Sequence, residues 1–312
     1  MIATVTLNPS LDEWIRLPTL RIGELNRASR FVRYPGGKGV NVSRVVHELG
    51  GPTIAYALAG GEDGEILRRL MNRMNIQHEF VEVSGSTRNN YKIQTRLPAP
   101  VTEINTEGPR VSIASVRRLA RRLLQRRPWP RCVALCGSLP PGVPPAIYGQ
   151  WIHLLKRRSI LTALDTSGSA LHHGLAARPW LIKPNRQEAE TLLGRRLSGR
   201  RACVTAALEL VSHGPMLTIL SLGRDGAVLA SSVTREVWLA QPPAVKADSA
   251  VGAGDSLVGG FLYGWVKRLP LVEAFRLGVA CGAAAAMTPG TELCHRADVR
   301  RLLPRVSITQ VR

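Results

Sequence analysis

Residues 251–256, with the sequence VGAGDS, combine the residue types best suited to chemistry. Three small residues, Gly252, Ala253 and Gly254, precede an aspartate, and an apolar helical pattern follows. Backbone N–H groups that small side chains leave open, at the N-terminus of a helix, form a site for anions. Asp255 could cap that helix, or it could accept the proton of a hydroxyl that attacks a phosphoryl group held by those N–H groups. The motif alone leaves both roles open.

A second glycine-rich turn, residues 35–43 (PGGKGVNVS), opens onto another helical pattern. It lacks both the GxxxxGK[ST] spacing of the Walker A loop and the GxGxxG spacing of dinucleotide-binding folds. It combines main chain that a ligand can approach with the ammonium group of Lys38 and the amide of Asn41, which suits a phosphorylated sugar. The alternative is a tight turn between a strand and a helix, with Gly39 as a packing glycine.

A third motif, residues 183–188 (KPNRQE), follows a strand pattern. If Asn185 caps the helix that begins there, Asn185 and Glu188 both face its first turn. A capping box is the structural interpretation. The functional interpretation is an amide and a carboxylate that arrange Mg²⁺ and its waters beside phosphates, because Mg²⁺ keeps several waters and takes few direct protein ligands.

The elements that must position these motifs follow one another in a regular order. Apolar, β-branched runs alternate with helical periodicity, which predicts an α/β fold with a mostly parallel sheet covered by helices on both faces. Ligands bind such sheets at the carboxyl ends of the strands. Loops 137–142 (GSLPPG) and 221–226 (SLGRDG) lie there, although each could be an ordinary turn. The predicted strands are 2–7, 53–58, 132–136, 161–164, 180–182 and 217–221. The predicted helices are 40–49, 65–74, 113–125, 145–157, 186–193, 202–213, 255–267 and 271–287.

Two segments, residues 11–34 and 86–106, interrupt this order with short alternating runs and turn residues. They could pair into a small sheet that projects from the main part of the protein, covers a substrate and excludes water. Ordinary surface hairpins are the alternative. Neither internal repeats nor a low-complexity linker divides the chain, so we expect one domain over residues 1–312 with the small sheet as its lid.

The protein is strongly basic, with 42 lysine and arginine residues against 22 acidic residues and a net charge of +20. In the densest basic stretch, residues 116–131, Val116, Leu119 and Leu123 repeat at helical spacing. That pattern places the arginines on the solvated face of an amphipathic helix. Aromatic residues do not alternate with them, which argues against a platform for single-stranded nucleic acid. The charge favours acidic small molecules such as phosphates, and we expect no nucleic-acid partner.

Targeting and redox signals are few. There is no run of about 18 apolar residues, and residues 1–9 lack the basic start and apolar stretch of a signal peptide, so no membrane association is expected. The five cysteines are scattered, odd in number and without a CxxC pair, which indicates reduced cysteines in a cytoplasmic protein.

Taken together, the motifs resemble the ribokinase-like (PfkB) family of sugar kinases over nearly the full length, most of all its branch of 1-phosphofructokinases and tagatose-6-phosphate kinases. Their order and spacing agree as a set. The resemblance implies a ribokinase-like sheet sandwiched by helices, with a small β-sheet lid, and ATP and Mg²⁺ as cofactors. The phrases that carry it are TLNPSLD (6–12), YPGGKGVNVSR (34–44), STRNNYKI (86–93), TEINTEGP (102–109), GSLPPG (137–142), KPNRQE (183–188), SLGRDGA (221–227) and VGAGDS (251–256).

The resemblance also implies roles for individual residues. Asp255 is the general base, and the N–H groups of residues 252–254 form the anion hole for the transferring phosphoryl group. The residues implied to bind the sugar phosphate are Asp12, Arg27, Gly36, Gly37, Lys38, Asn41, Arg88 and Ser138, of which Arg27, Lys38 and Arg88 would hold its existing phosphate. Those implied to bind the nucleotide are Lys183, Asn185, Glu188, Ser221, Gly223, Gly226 and Gly282, and Asn185 and Glu188 would also arrange Mg²⁺ through water.

The chain departs from the family's pattern at Ser249 and Ala250, where the wider family usually has Asp-Thr and the nearest branch usually has threonine at the second position. The missing hydroxyl could weaken a phosphate contact or alter a monovalent-cation site, but the base remains. The resemblance implies phosphorylation of fructose 1-phosphate to fructose 1,6-bisphosphate by a homodimer joined through its lids. Fructose 6-phosphate and tagatose 6-phosphate are the alternative substrates. A non-catalytic basic protein on a kinase fold, binding nucleic acid or regulating another protein, is the alternative of another class.

Overall fold

A computed structural model describes residues 1–95 and 101–311, which form a large and a small sheet with surrounding helices. The strands are β1 (Ile2–Thr6), β2 (Ser10–Arg16), β3 (Arg30–Gly36), β4 (Thr53–Ala59), β5 (Gln77–Glu82), β6 (Arg88–Gln94), β7 (Thr102–Asn105), β8 (Cys132–Cys136), β9 (Leu161–Asp165), β10 (Leu181–Ile182), β11 (Leu217–Ser221), β12 (Ala227–Ser231), β13 (Val237–Gln241) and β14 (Ser307–Gln310). The helices are α1 (Lys38–Glu48), α2 (Gly61–Arg73), α3 (Ile113–Gln125), α4 (Ile147–Lys156), α5 (Gly168–Ala176), α6 (Arg186–Leu193), α7 (Gly199–Ser212), α8 (Ala253–Val266), α9 (Leu271–Ala286) and α10 (Arg296–Leu302).

The large sheet has the strand order β14-β13-β12-β11-β10-β9-β8-β1-β4-β5. The strands from β11 to β5 are parallel, and β12, β13 and β14 complete one edge antiparallel. The inner strands are short apolar runs buried on both faces, as β1 is along its whole length, because helices cover the sheet on both sides. The predicted α/β fold class is confirmed, whereas β5, β12, β13, β14, α5 and α10 were not predicted.

Two groups of helices enclose the large sheet. The apolar faces of α3, α4, α5 and α7 pack on one side, around residues such as Leu119 and Tyr148. The helices α1, α8, α9 and α10 pack on the other side, where Phe261 and Phe275 are fully buried. These packed layers fix the carboxyl edge of the parallel strands, from which the candidate functional loops extend.

The small sheet has the order β3-β2-β6-β7 and joins the two segments whose pairing the sequence suggests. Its central strands β2 and β6 are parallel, with Asp12 opposite Asn90. It touches the main part where Gln94 Nε2 donates to the carbonyl and to Oδ1 of Asp248, both at 3.1 Å. Within the predicted lid segment 86–106, residues 96–100 lie outside the described residues. The assignment of the whole chain to one domain stays a prediction.

The basic helix α3 has the amphipathic structure that its sequence predicts. Val116, Leu119 and Leu123 are buried, and its arginines are exposed on the opposite side. All five cysteines are buried and free. Within residues 1–95 and 101–311, no helix combines the length and apolarity that crossing a membrane requires.

Candidate active site

The turn before α8 presents open backbone to a ligand. Gly252 is the N-cap, with φ of 79°, and a Cβ there would overlap the side chain of Leu293. Both the backbone conformation and the lack of space therefore favour glycine at this position. The N–H of Ala253 donates to the carbonyl of Ala250 at 3.3 Å. The amides of Gly252 and Gly254 have no acceptor among the described residues. Two of the three predicted anion-hole donors are therefore available to a phosphoryl group, and the third is shared with the turn.

Asp255 lies in the first turn of α8, beside these amides, and is only 8% exposed. Asn41 Nδ2 donates to its Oδ2 at 2.8 Å. Burial, reinforced by the nearby Asp165 carboxylate, raises the pKa of Asp255 to about 6, although Lys38, Asn41 and Lys183 oppose the rise. A carboxylate with a pKa just below neutral is mostly ionised at neutral pH and yet basic enough to accept a proton, as a general base requires.

Two lysines converge on a buried carboxylate next to Asp255. Lys38 Nζ lies 2.8 Å from Asp165 Oδ1, and Lys183 Nζ lies 3.5 Å from Asp165 Oδ2. Burial alone would raise the pKa of Asp165, but the ammonium groups of Lys183 and Lys38 outweigh it, and the pKa is lowered. Burial likewise disfavours the Lys38 cation, but Asp165, Asp255 and Glu188 raise its pKa instead. The raised pKa keeps Lys38 charged at neutral pH, and both lysine side chains are in a position to bind phosphate groups.

Lys183 also reaches the anion turn. A Cβ built on Gly254 would lie 3.5 Å from Lys183 Nζ, so this ammonium group borders the open amides. Asp165, which organises the two lysines, was missed by sequence reasoning. The signal was present, because Asp165 ends an otherwise apolar buried strand at the carboxyl edge of the sheet, one residue beyond the predicted strand 161–164.

Asn185 and Glu188 form the capping box that was one of their two sequence interpretations. Asn185 Oδ1 accepts from the N–H of Glu188, and Glu188 Oε2 accepts from the N–H of Asn185, both at 2.8 Å. The other carboxylate oxygen, Glu188 Oε1, lies 3.8 Å from Lys38 Nζ. The capping box leaves that oxygen facing the lysine pair, so the structural and functional interpretations are compatible.

Three of the eight predicted sugar-binding residues, Asp12, Gly36 and Arg88, lie in strands of the small sheet. Asp12 is buried, and its Oδ1 accepts from Ser10 Oγ at 2.9 Å and from Asn90 Nδ2 at 3.2 Å. Gly36 passes so close to Asp12 that a Cβ on it would overlap the carboxylate. Gly37 is the N-cap of α1, with φ of 102°, and directly precedes Lys38. The glycine-rich turn therefore packs Gly36 against the Asp12 carboxylate, and Lys38 begins α1 two residues later.

The two arginines predicted to hold a phosphate differ in their surroundings. Arg88 is half-buried and donates to the carbonyls of Asn8 and Thr106. The amide of Asn8, which the sequence had not singled out, donates to the hydroxyl of Ser138 at 3.3 Å and so links the two predicted residues. Arg27 lies in the exposed loop between β2 and β3, and in the described part of the chain its side chain has no ion pair or hydrogen bond. The structure does not bring Arg27 to the other site residues.

Three predicted nucleotide residues, Ser221, Gly223 and Gly226, lie at and just after the end of β11, the strand next to β10. Ser221 pairs with Asn185 through a β-bridge, and Ser221 Oγ donates to the carbonyl of Pro184 at 3.4 Å. Gly226, with φ of 97°, turns the chain so tightly that a Cβ would overlap the carbonyl of Ala240. The other glycine of this turn, Gly223, has φ of 62° and open space at its Cβ position.

Gly282, the remaining residue predicted to bind the nucleotide, and the unusual Ser249–Ala250 pair adjoin the anion turn before α8. On α9, a Cβ built on Gly282 would lie 3.1 Å from the carbonyl oxygen of Ala253, so the absence of a side chain permits close helix packing at the anion turn. Ser249 is buried, and its Oγ accepts from the N–H of Val251 at 3.2 Å. The hydroxyl of Ser249 thus supports the turn directly, next to the position where Ala250 lacks one.

Comparison of the chain with known proteins identifies the family to which it is related. Residues 6–298 match the pfkB family of carbohydrate kinases. A 1-phosphofructokinase of Bacillus subtilis (strain 168) is 37% identical over 311 residues, covering 100% of both chains. A 1-phosphofructokinase of Escherichia coli (strain K12) is 33% identical over 307 residues, covering 98% of this chain and 97% of its own.

Solved structures agree with this assignment. The crystal structure of phosphofructokinase-2 from Escherichia coli, in complex with substrates and products, superimposes with a TM-score of 0.92 at 33% identity, covering 97% of this chain and 98% of that chain. The family match spans the small sheet, the lysine pair and the anion turn together. The chain therefore belongs to the pfkB family of carbohydrate kinases.

Proposed function

We propose that this kinase transfers the γ-phosphoryl group of ATP to a hydroxyl of a sugar phosphate, and that fructose 1-phosphate is its preferred acceptor, giving fructose 1,6-bisphosphate. The observation that carries the proposal is the position of Asp255. It is a buried carboxylate with a pKa of about 6, next to two open amides and two lysines. Relatives named 1-phosphofructokinase, which match the chain from end to end, support the choice of acceptor.

The reaction is a direct in-line displacement. Asp255 takes the proton of the acceptor hydroxyl as its oxygen bonds to the γ-phosphorus, and the bond from that phosphorus to the β–γ bridging oxygen breaks to release ADP. The open amides of Gly252 and Gly254, with the Lys183 ammonium group beside them, hold the negative charge of the transferring group. Lys38, which follows the glycine-rich turn and lies beside Asp165 and Glu188, supplies a further positive charge for phosphate groups. No covalent enzyme intermediate is needed.

The residues around the lysine pair fit a magnesium ion that is held mainly by water and phosphates. Within the described ranges, no three His, Cys, Asp or Glu residues converge to hold a metal directly. Glu188 nevertheless directs one carboxylate oxygen into the site, and the buried Asp165 Oδ2 has no hydrogen-bond partner. Asn185 and Glu188 would orient the waters of the ion, with Asp165 near them. When bound, Mg²⁺ neutralises phosphate charge.

Fructose 6-phosphate and tagatose 6-phosphate are the competing acceptors. A solved structure of Escherichia coli phosphofructokinase-2 is described as a complex with fructose 6-phosphate, and it matches this chain with a TM-score of 0.90 at 32% identity. These acceptors differ in where the existing phosphate lies relative to the attacked hydroxyl. Arg88, which is proposed to hold the existing phosphate, is linked through Asn8 to Ser138. The positions of these groups relative to Asp255 would decide which acceptor fits.

We further propose that the protein works as a homodimer joined through the small sheet. Large apolar side chains of this sheet and its loop are exposed, with Ile22 at 96% and Leu25 at 76%. Phe31 and Ile104 are also exposed on it. A water-facing group of this kind is typical of a protein interface. A related structure is described as the tetrameric inhibited form of Escherichia coli phosphofructokinase-2. The predicted cytoplasmic location and the predicted lack of a nucleic-acid partner stay predictions.

The decisive experiment measures ADP release with Mg-ATP and fructose 1-phosphate, fructose 6-phosphate or tagatose 6-phosphate. We expect a kcat/KM at least about tenfold higher for fructose 1-phosphate, since one misplaced polar contact costs about 1.4 kcal/mol or more. A preference for a 6-phosphate would keep the chemistry and change the acceptor. Absence of turnover with all three, together with salt-dependent binding to DNA, would favour the non-catalytic alternative.

A further inference from the structure

Arg44 is a buried arginine of α1 to which the site described above assigns no role. Its side chain is only 6% exposed. Its guanidinium donates to the carbonyl of Pro35 at 3.0 Å, to Asn41 Oδ1 at 3.1 Å and to the carbonyl of Glu292 at 3.2 Å. Burying a cation is costly unless its donors are satisfied. Here the acceptors come from three separate parts of the chain, so the side chain is held in one orientation.

The contact with Asn41 determines which end of that amide faces the catalytic base. Arginine has only donors, so the amide atom facing Arg44 must be the oxygen. The NH₂ end of Asn41 must then face Asp255, and it donates to Oδ2 at 2.8 Å. Without Arg44, the amide could turn over whenever Asp255 is protonated, because its oxygen could then accept the carboxyl proton.

We propose that Arg44 is a positioning residue for phosphoryl transfer: it fixes the Asn41 amide so that this amide donates to one oxygen of Asp255 and leaves the other oxygen free to take the acceptor's proton. This inference rests on the proposed role of Asp255 as the base. Arg44 itself touches neither substrate nor reacting atom and acts through Asn41.

The other two contacts of Arg44 connect the base to the rest of the site. Pro35 lies in β3, next to Gly36, which borders the Asp12 carboxylate. Glu292 precedes Leu293, whose side chain covers the N-cap glycine of α8. One side chain therefore fixes the sugar-binding turn, the partner of the base and the loop over the anion turn relative to one another.

Arg44 keeps its charge over the acid and neutral pH range in which the acid limb is measured. Burial lowers the pKa of Arg44 to about 10, while Asp12, Tyr34, Glu292 and Asp255 oppose the shift. The charged groups that face Asp255 are Lys38 from α1, Asp165 from the end of β9, Lys183 after β10 and Arg44 itself. The first three are retained in every Arg44 variant, and Arg44→Lys also keeps a positive charge at this position. A change in the titration of Asp255 in Arg44→Lys would therefore report on the Asn41 amide, whereas Arg44→Met also removes a positive charge that interacts with Asp255.

The test compares Arg44→Met with Arg276→Met. Arg276 is a matched control because it is a half-buried arginine that donates to the carbonyl of Val306, remote from the base. The hydrogen bond from Asn41 lowers the pKa of Asp255, so its loss raises that pKa and moves the acid limb of kcat/KM to higher pH. We expect Arg44→Met to lose kcat by about tenfold, to keep the KM for ATP and to show this shift. Arg276→Met should keep the wild-type profile even if its melting temperature falls.

A double-mutant cycle with Asn41→Ala sharpens the test. If Arg44 acts through Asn41, the kcat of the Asn41→Ala enzyme should fall little further when Arg44→Met is added. Losses that multiply would overturn the proposal, as would an acid limb that is unshifted in Arg44→Lys. Arg44→Lys is measured beside Arg44→Met and replaces it if the latter fails to fold, because lysine keeps the charge but lacks the rigid fork that reaches three acceptors. Its acid limb should also shift to higher pH.

The outcome is separable from the proposed function. Turnover that survives in Asp255→Asn would refute the base itself, whatever Arg44 does. An inactive Asp255→Asn enzyme with an unshifted Arg44 variant would refute the role of Arg44 alone.

Discussion

The two sides of the cleft are built differently. The phosphoryl side consists of backbone amides and side chains fixed by the large sheet, and Asp255, Asp165 and Lys183 are all buried there. The sugar side is carried mostly by the small sheet and its loops, where Arg88 is half-buried and Arg27 is exposed. The first side is anchored by two packed layers of helices, whereas the second is anchored by four strands and a few polar contacts.

The difference indicates a division of work. Charge that develops during phosphoryl transfer must meet groups that are already in place, since reorganisation would cost much of their effect. Acceptor recognition can tolerate groups that move with a lid, because closure around the substrate can complete the site. We therefore expect substitutions on the phosphoryl side to lower kcat and substitutions on the sugar side to raise KM.

Asp255→Asn should have the largest effect. An amide cannot accept the proton, so kcat should fall by roughly 10²-fold or more while the KM for both substrates changes little. Steady-state kinetics with Asp298→Asn, a surface carboxylate on α10 paired with Arg301, provide the control. Turnover near the wild-type level in Asp255→Asn would refute the assignment of Asp255 as the base. It would also refute the proposed difference between the two sides of the cleft.

Asp165→Asn tests whether the buried network tunes the base. Removing the Asp165 charge removes a cause of the raised pKa of Asp255, so the acid limb of kcat/KM should move below pH 6. The same change leaves Lys38 and Lys183 without their shared partner and should lower the free energy of unfolding by about 3 kcal/mol. A pH profile and a urea titration would check both parts. An acid limb that stays at the wild-type position would show that Asp165 is only structural.

Arg88→Met tests the sugar side. Loss of a charged donor should raise the KM for the sugar phosphate by roughly tenfold and leave kcat and the KM for ATP nearly unchanged. Arg110→Met is the matched control, because Arg110 lines the same surface cleft of about 580 Å³ as Arg88 and is exposed. A large fall in kcat in Arg88→Met would contradict the proposed division.

Gln94→Ala should have the smallest effect. It removes the two hydrogen bonds that join the small sheet to Asp248, just before the anion turn. We expect the KM for the sugar phosphate to rise about threefold, as for the loss of neutral hydrogen bonds. Hydrolysis of ATP without sugar should increase, because a looser lid admits water. Gln77→Ala, on the edge strand β5, should change neither quantity.

The sequence by itself determined the local features of this protein. The α/β order, helices α3 and α6 to the residue, the glycine turns and the anion motif all followed from periodicity, caps and glycine positions. Such signals act over a few residues, so a linear pattern carries them. The antiparallel edge strands β12, β13 and β14 were not predicted, because short strands outside the βαβ order have weak sequence patterns.

Only the tertiary structure decided how the site is assembled. Asp165 meets Lys38 across 127 positions of sequence, and Asn41 meets Asp255 across 214. The order of the strands in the sheet determines which of these residues come into contact, and no local sequence pattern specifies that order. The role of Arg44 was hidden for the same reason, since its acceptors at Pro35 and Glu292 come together only when the small sheet and the loop after α9 pack on α1.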